Sequence, residues 1–380
     1  MRLNETMEKR LGYVDALRGV AALAVIYAHS TAQFMLNGGL HYRVENEIAK
    51  FTLVYLDAGK VAVILFFAIS GFVIPFSLFR ETKAPLQSFA ITRLFRLYPV
   101  YWLSIFVWVG YSYFSRGEST PAREVLVNLT MLQQFVGVRN VIELFWTLQI
   151  ELVFYVLCAA LFAGGWLRTP RQIAWASIVS LACALALAAA RSFLDEKLPV
   201  ALPLALSIMF WGFLWRRATV DHAPDARAWV ARLTPLIYAA IPPISVMAYS
   251  TDHGFHETWW RYMNSYLLAL TLFILFTTRI KIDAPSALFL GRISYSVYLF
   301  GPLGQELAMK AHPYLPKGAP ALLAVALAMV LTLPISATTY RLVEKPAISM
   351  GKSLRRRLQD RRDALRPAPQ REWNLDRARN

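Results

Sequence analysis

The sequence predicts an all-α protein, a polytopic bundle of about ten transmembrane helices with both termini in the cytoplasm. Its 380 residues are 57% apolar and only 17% charged, whereas a soluble domain is about half apolar and about a quarter charged. A membrane-spanning helix needs about 20 mostly apolar residues, and stretches of that length recur ten times along the chain. We place them at 13–35, 58–79, 98–115, 143–165, 172–190, 198–215, 233–250, 262–279, 286–309 and 319–340.

The loops between these windows carry an unequal positive charge. Ten spans put both termini on one side, where the loops and ends hold 28 Lys and Arg, against 10 on the other side. Cytoplasmic loops carry the excess of Lys and Arg in membrane proteins. Both termini are therefore predicted to be cytoplasmic, and the net charge of +16 is explained by topology, with no nucleic-acid partner.

Two segments organise the chain. Residues 1–346 form the predicted membrane domain, and residues 347–380 form a basic tail, expected to be a juxtamembrane helix followed by a disordered end. The tail is either solvated or in contact with anionic membrane lipid. Cys158 and Cys183 both lie in apolar runs, so the sequence indicates neither a disulfide framework nor a metal site.

The first span carries charge inside an apolar run. Arg18 and His29 are eleven residues apart, which is about three helical turns, so both lie on one face roughly 16 Å apart. Asp15 lies one turn before Arg18 on that face. Polar groups at such depth are costly and indicate a functional site. The alternative is a buried histidine bonded to a neighbouring helix.

Two further motifs precede the fourth span. Ser70-Gly71 interrupts the apolar second span and is either a notch for close helix packing or a hydroxyl that bonds a substrate or the buried histidine. Arg93 and Arg96 lie one turn apart before the third span. This spacing suits a phosphate group, although positive-inside charge alone also explains it.

An acid in the fourth span provides a partner for the histidine. Glu151 lies about eight residues inside that window, and counting from the window edges puts it at a depth similar to that of His29. A carboxylate that orients an imidazole forms a general-base pair. Trp146 and Tyr155, one turn either side of Glu151, are expected to line a pocket. A purely structural tie between Glu151 and Arg or His is the alternative.

The last two spans carry hydroxyls and an acid that ordinary packing explains. Ser294, Tyr295, Ser296 and Tyr298 in the ninth span suit interhelical hydrogen bonds. Glu344, Lys345 and Pro346 are sufficiently explained as the end of the tenth helix.

Taken together, these motifs resemble the acyltransferase-3 family of integral membrane acyltransferases. The matching pieces are D-A-L-R-G-V-A-A with ten residues between Arg18 and His29, F-F-A-I-S-G-F, R-L-F-R-L-Y-P, W-T-L-Q-I-E-L-V-F-Y, I-S-Y-S-V-Y-L and L-V-E-K-P. Each is weak alone, but their order on a ten-span chain is specific. One departure is Tyr298-Leu299-Phe300-Gly301, where many relatives read Tyr-Leu-x-His.

The resemblance implies an O-acyltransferase that moves an acyl group, often acetyl, from acyl-CoA to a hydroxyl of a polysaccharide, a lipid-linked glycan or a similar acceptor. It implies that Arg18 and His29 are the family's helix-one pair, Arg93 and Arg96 its cytoplasmic arginine motif, and Glu151 its fourth-span acid. Acyl-CoA (acetyl-CoA) is then a co-substrate, with no tightly bound cofactor, and the protein is integral to the cell inner membrane.

Within this reading, His29 and Glu151 are catalytic, and Arg18, Asp15, Ser70, Arg93, Arg96, Trp146 and Tyr155 bind substrate. A covalent acyl-enzyme on His29 or Ser70 stays open. A transporter or flippase that uses the intramembrane charges as a proton relay is the alternative function. A structural scaffold is a third, and it predicts no ligand-sized cavity around His29.

Overall fold

A computed structural model describes residues 11–36, 41–79, 82–252, 258–316 and 318–364, and every regular element in these ranges is helical. The prediction of an all-α fold is confirmed for them. The N-terminal ten residues and the end of the tail, including its predicted disorder, lie outside the described residues. We call the end of the bundle at which the first helix begins the inner end, following the predicted orientation.

Thirteen α-helices occur in the described ranges. They are α1 (Gly12–Leu36), α2 (Arg43–Ala49), α3 (Ala58–Val73), α4 (Pro85–Arg116), α5 (Ala122–Asn128), α6 (Phe145–Ala163), α7 (Pro170–Leu194), α8 (Ala201–Thr219), α9 (Pro224–Tyr249), α10 (Trp259–Thr278), α11 (Pro285–Ala311), α12 (Ala321–Thr339) and α13 (Lys345–Ala364). Short π-helical segments cover Lys50–Tyr55 and Tyr340–Glu344, and short 3₁₀ segments cover Pro75–Ser77, Gln133–Val136 and His312–Tyr314.

Each of the ten predicted windows falls mainly on one long helix: α1, α3, α4 and α6 to α12. Five helical stretches are long and apolar enough to cross a membrane by length and composition. They are Ala58–Ser77, Phe145–Ala163, Pro170–Leu194, Pro224–Tyr249 and Ala321–Arg362. The total of ten spans and the side on which the termini lie stay predictions.

Glycines allow the central helices to approach closely. Nearly every residue of α8 is buried, and α3 packs against it so tightly that a Cβ on Gly71 would lie 1.8 Å from the carbonyl oxygen of Met209. A Cβ on Gly212 of α8 would lie 2.3 Å from the carbonyl oxygen of Ala68. The packing notch predicted at Ser70-Gly71 is therefore confirmed, and its close approach fixes which way Ser70 points.

The contact between α1 and α11 depends on glycine in the same way. A Cβ on Gly291 would lie 2.1 Å from the carbonyl oxygen of Asp15. We expect Gly291→Ala to lower the free energy of unfolding of the purified protein by about 1–3 kcal/mol, because the added methyl group forces α1 and α11 apart. Gly110→Ala is the matched control, since nothing lies within 4 Å of its Cβ. Equal melting temperatures in detergent for the two variants would contradict this packing.

The segment between α4 and α6 folds back into the bundle. The side chains of Tyr98, Tyr101 and Trp102 on α4 donate hydrogen bonds to the carbonyl oxygens of Thr130, Asn128 and Leu129, at 3.0, 2.7 and 2.9 Å. Tyr101 is fifteen residues from Arg116, the last residue of α4, which is about 22 Å along that helix. Residues 128–130 therefore lie well inside the end of α4.

Side-chain amides satisfy the non-helical backbone of this inserted segment. Asn140 accepts hydrogen bonds from the amide groups of Gln133 and Gln149 at 2.7 and 3.0 Å. Asn128 accepts a hydrogen bond from the backbone N–H of Val141 at 3.0 Å. Buried irregular backbone is stable only when its polar groups are paired. Because this segment occupies the outer part of the bundle, α6 begins deep inside it.

The basic tail begins as a continuation of the preceding helix. From Ala321 to Arg362 the chain is helical for 42 residues, so α13 extends α12 beyond its predicted end. It packs along the first turns of α4, where a Cβ on Gly351 would lie 2.8 Å from the Cβ of Phe95. The helix predicted at the start of the tail is confirmed over Lys345–Ala364, and its position beside the membrane stays a prediction.

Candidate active site

Four helices enclose a cavity of about 470 Å³ that is partly open to solvent. Three of the predicted site residues line it: Arg18 from α1, Ser70 from α3 and Glu151 from α6. The rest of its wall combines apolar side chains with hydroxyl groups: Val63, Phe66, Phe67, Thr147, Leu148, Ser294, Tyr295 and Tyr298. A few convergent polar groups in an apolar wall are typical of small-molecule sites.

The Glu151 carboxylate is the acidic centre of this cavity. It accepts a hydrogen bond from the hydroxyl of Tyr155 at 2.5 Å and a longer one from the hydroxyl of Ser70 at 3.5 Å. Arg18 is close enough to interact with it electrostatically. Tyr155 is buried and lies one turn after Glu151 in α6, closer to the inner end of the bundle. Its hydroxyl therefore holds the carboxylate from the inner side.

Three arginines gather on the inner side of the cavity. Arg96 lies within electrostatic reach of both Arg18 and Arg93. The Arg93 guanidinium donates a hydrogen bond to the Ser77 hydroxyl at 2.9 Å and lies 5.4 Å from each of the rings of Phe89 and Tyr155. Such a cluster of like charges is costly unless neighbouring acids or a bound anion offset it. Arg93 and Arg96 therefore lie close to one another, and Arg18 lies near Arg96; that they bind phosphate stays a prediction.

Sequence reasoning missed Glu344, which is nearly fully buried, at 1% exposed. Its carboxylate accepts a hydrogen bond from the Ser296 hydroxyl at 2.7 Å, and Arg18 and Arg96 lie within electrostatic reach. The residue ends a π-helical segment, a distortion that is frequent at functional sites. The helix continues through it, so the motif that was interpreted as a helix end instead brings an acid to the arginine cluster.

The hydroxyls of α11 hold the cavity wall together. Tyr295 donates to the carbonyl oxygen of Leu97 at 3.0 Å. The Tyr298 hydroxyl lies 2.6 Å from that of Thr147 and 3.0 Å from the carbonyl oxygen of Leu144. The predicted interhelical hydrogen bonding of this helix is therefore confirmed, and two of these tyrosines also line the cavity.

His29 lies outside the cavity, toward its outer end. The residue keeps solvent-accessible surface although many atoms of the bundle surround its ring, and the acids close enough to act on the ring electrostatically are Asp57 and Glu143. A Cβ on Gly59 would lie 3.2 Å from the Cβ of Ala28, which puts this part of α3 beside His29. Val63, which lines the cavity, follows Gly59 by one turn, about 6 Å. His29 therefore lies about one turn beyond the outer end of the cavity.

The predicted pairing of His29 with Glu151 is wrong. Both residues are described, and no hydrogen bond or ion pair joins them; Glu151 bonds to Ser70 and Tyr155 at the level of Arg18. The prediction counted depth from the edge of the apolar window. The inserted segment, residues 122–144, moves the start of α6 inward, so Glu151 lies deeper than a helix starting at the membrane surface would place it.

The remaining predicted residues flank the cavity. Trp146 packs edge-on against Phe67, with ring centroids 6.4 Å apart. Asp15 interacts electrostatically with Arg18. At the position where many relatives have histidine, Gly301 packs against α1, and a Cβ there would lie 2.9 Å from Ile26. A larger residue at that position would displace Ile26.

Comparison with known proteins identifies the family. The family model described as an acyltransferase domain, acyltransferase-3, matches residues 11–341, most of the chain. The chain belongs to the acyltransferase-3 family. A curated relative, acyltransferase MdmB from Streptomyces mycarofaciens, is 28% identical over 173 residues, which cover 43% of this chain and 41% of the relative. The chain thus matches about two fifths of that relative's length. No solved structure matches the chain significantly.

Family membership settles the class of protein. The acyltransferase-3 family is membrane-embedded, and together with the named relative it supports an enzyme that transfers acyl groups. The transporter and scaffold interpretations are therefore not retained. Family membership also fits the position of the cavity, which is bounded by four of the motifs that carried the resemblance.

Proposed function

We propose that the protein is an O-acyltransferase of the cell inner membrane that moves an acetyl group from acetyl-CoA to a hydroxyl of a carbohydrate or lipid-linked glycan. In this proposal ten helices cross the membrane and both termini are cytoplasmic. The single observation that carries it is the cavity of Arg18, Ser70 and Glu151, which lies between a cluster of arginines and an exposed histidine in a chain of this family.

The donor enters from the inner end in this proposal. Arg18, Arg93 and Arg96 supply a concentrated positive charge there, and guanidinium groups bind phosphate oxygens in a bidentate manner. The phosphates of acetyl-CoA would remain at this cluster while the pantetheine arm extends into the cavity. Glu151, held by Tyr155, then faces the arm and limits how far the arginines can turn inward.

The acceptor approaches from the outer end, where His29 is exposed. His29 removes the proton from the acceptor hydroxyl as the oxygen attacks the thioester carbonyl. The new carbon–oxygen bond forms, the carbon–sulfur bond breaks, and the coenzyme A thiolate leaves and takes up a proton. A helical side chain leans toward the N-terminus of its helix, which directs the ring of His29 toward the cavity. Holding both substrates in one cavity supplies much of the rate.

Labelled acetyl-CoA tests this proposal directly. Membranes that contain the protein should transfer isotope-labelled acetyl to surface glycans, and mass spectrometry should find those glycans heavier by one acetyl group than glycans from cells without the protein. Absence of label from every glycan and lipid fraction, despite folded protein in the membrane, would contradict the proposal. Substrate uptake that depends on the proton gradient and needs no acetyl-CoA would restore the transporter alternative.

A further inference from the structure

A short helical segment lies between α1 and α3 in the chain, at the outer end of the bundle. It comprises α2 (Arg43–Ala49) and the π-helical turns Lys50–Tyr55, which follow α2 without interruption. We call these two pieces together the outer segment. The proposed reaction assigns no role to it.

Hydrogen bonds fix the outer segment against three helices. They join Glu45 to the backbone N–H of Leu322 in α12, Thr52 to the hydroxyl of Tyr27 in α1 and the carbonyl oxygen of Tyr55 to Asn264 in α10, at 2.9, 2.9 and 3.1 Å. The Glu45 side chain is 4% exposed and accepts from one of the first-turn N–H groups of α12, which no carbonyl of that helix can reach. The outer segment is therefore a fixed part of the bundle.

These contacts put the outer segment at the end of the membrane-crossing stretches. The stretch Ala321–Arg362 begins at the turn of α12 that the segment contacts, and the stretch Ala58–Ser77 begins three residues after Tyr55. Both begin at the outer end of the bundle in the proposed orientation. Tyr27, which the segment also contacts, lies two residues before His29, about 3 Å along α1. The outer segment is thus nearly level with His29.

Three different faces run along the outer segment. Glu45, Ala49 and Leu53 are buried at intervals of four residues and face the bundle. Exposed apolar side chains recur at helical spacing on a second face: Val44, Ile48, Phe51 and Tyr55. Exposed charged side chains occupy a third face: Arg43, Glu47 and Lys50. At about 100° per residue, the apolar and charged faces point about 100° apart, and both point away from the buried face.

This arrangement is typical of a helix that lies in the boundary between membrane and water. Such helices bury an apolar face about 5–10 Å into the lipid and keep their charges toward water. Phe51 is 60% exposed, whereas Glu47 and Lys50 pair with each other at 3.0 Å on the charged face. The neighbouring surface of α12 is also apolar, since Leu323 and Val330 are exposed on one face of that helix. Lipid that covers α12 therefore reaches the apolar face of the outer segment as well.

We infer that the outer segment inserts its apolar face, formed by Val44, Ile48, Phe51 and Tyr55, among the acyl chains of the outer-leaflet phospholipid. This inference rests on the transmembrane arrangement proposed above, and it has a consequence for the acceptor. Because His29 lies at nearly the same level, the acceptor hydroxyl meets it at the membrane surface. That position favours a glycan carried on a lipid over a free sugar.

Fluorescence quenching in phosphatidylcholine nanodiscs, whose two faces are both open to water, tests this inference. Ile48→Cys and Phe51→Cys would each be made in the full-length chain with Cys158→Ala and Cys183→Ser, and labelled with a small fluorophore. Phospholipid with a spin label on its acyl chain should quench both positions at least about twofold more strongly than it quenches Glu47→Cys, the matched control on the charged face. Aqueous iodide should show the reverse order.

The possible outcomes decide between lipid, water and protein around the apolar face. Equal quenching by iodide at all three positions would overturn the inference, because the segment would then lie in water. Protection of Ile48→Cys and Phe51→Cys from both quenchers would also overturn it, and disulfide cross-linking between two Phe51→Cys chains would then identify a second copy as the partner.

The quenching result is independent of the proposed reaction, since neither quencher requires acetyl-CoA. A failure of the segment to insert would leave the proposed acetyl transfer standing, and a failure of acetyl transfer would leave the lipid contact standing. The consequence for the acceptor is read from the labelled-acetyl assay, in which label should enter lipid-extractable glycans. Label confined to water-soluble sugars would contradict that consequence.

Discussion

Replacing His29 with alanine should reduce the rate of acetyl transfer by about 10²–10⁴-fold, the usual contribution of a general base. His29 keeps accessible surface beyond the outer end of the cavity, so it is the group available to an acceptor hydroxyl arriving from that side. Transfer from labelled acetyl-CoA, measured in membranes at equal expression, gives the rate. The KM for acetyl-CoA should change little, because His29 does not line the cavity in which the donor's acyl end is expected.

His41→Ala is the matched control for this variant, since His41 is an exposed histidine of the outer end and has no role in the proposed reaction. It should retain the wild-type rate. Full activity of His29→Ala at equal expression would remove His29 from the mechanism, and a large increase in the KM for acetyl-CoA would place it in donor binding.

Replacing Glu151 with glutamine should reduce the rate by about 100-fold while the protein stays folded. Glutamine has nearly the same shape, but it removes the negative charge that faces Arg18 in the cavity and that accepts the hydrogen bond from Tyr155. The three neighbouring arginines then keep, among the described residues, only Asp15 and Glu344 as nearby acids, and removing one charge of an interacting buried set costs several kcal/mol. The loss should appear in kcat and in the KM for acetyl-CoA, measured by the same transfer assay.

Glu118→Gln provides the comparison, since Glu118 is an exposed acid near the end of α4 whose nearest basic partner, Arg116, lies at 3.8 Å. Its activity should equal that of the wild type. A Glu151→Gln variant with normal kcat and normal KM would mean that the carboxylate only packs the cavity wall.

Much of the architecture could be predicted because hydrophobic length is a strong signal. Each apolar window matches a long helix. The sequence alone also identifies Arg18, Ser70 and Glu151 as polar groups inside apolar runs. A polar residue in such a run has few places to point other than an internal cavity. The motif order then predicted the family, which the comparison confirmed.

The relative depths of these residues could not be predicted. Residues 122–144 contain several polar side chains, among them Asn128, Gln133 and Asn140, and therefore have the composition of an outer loop. In the structure those same amides pair with one another and with backbone inside the bundle. A loop and an inserted segment differ in tertiary hydrogen bonds rather than in composition. The sequence alone therefore could not give the depth of Glu151 relative to His29.

Glu344 was missed for a related reason. An acid followed by Lys345 and Pro346 has the composition of a helix end. In the structure the helix continues past Pro346, directly after the π-helical turn Tyr340–Glu344, and such local distortion re-satisfies the backbone groups that a proline frees. Only the contact with Ser296, 48 positions earlier, shows that the acid belongs to the interior.

Protection of a cysteine at position 70 tests the central claim, that the acyl end of the donor occupies the cavity of Arg18, Ser70 and Glu151. Ser70→Cys would be made in a background with Cys158→Ala and Cys183→Ser, and its alkylation rate by a small thiol reagent measured with and without acetyl-CoA. The account predicts that acetyl-CoA slows alkylation at position 70 but not at a control cysteine replacing exposed Ser250. An alkylation rate at position 70 that saturating acetyl-CoA leaves unchanged would contradict it.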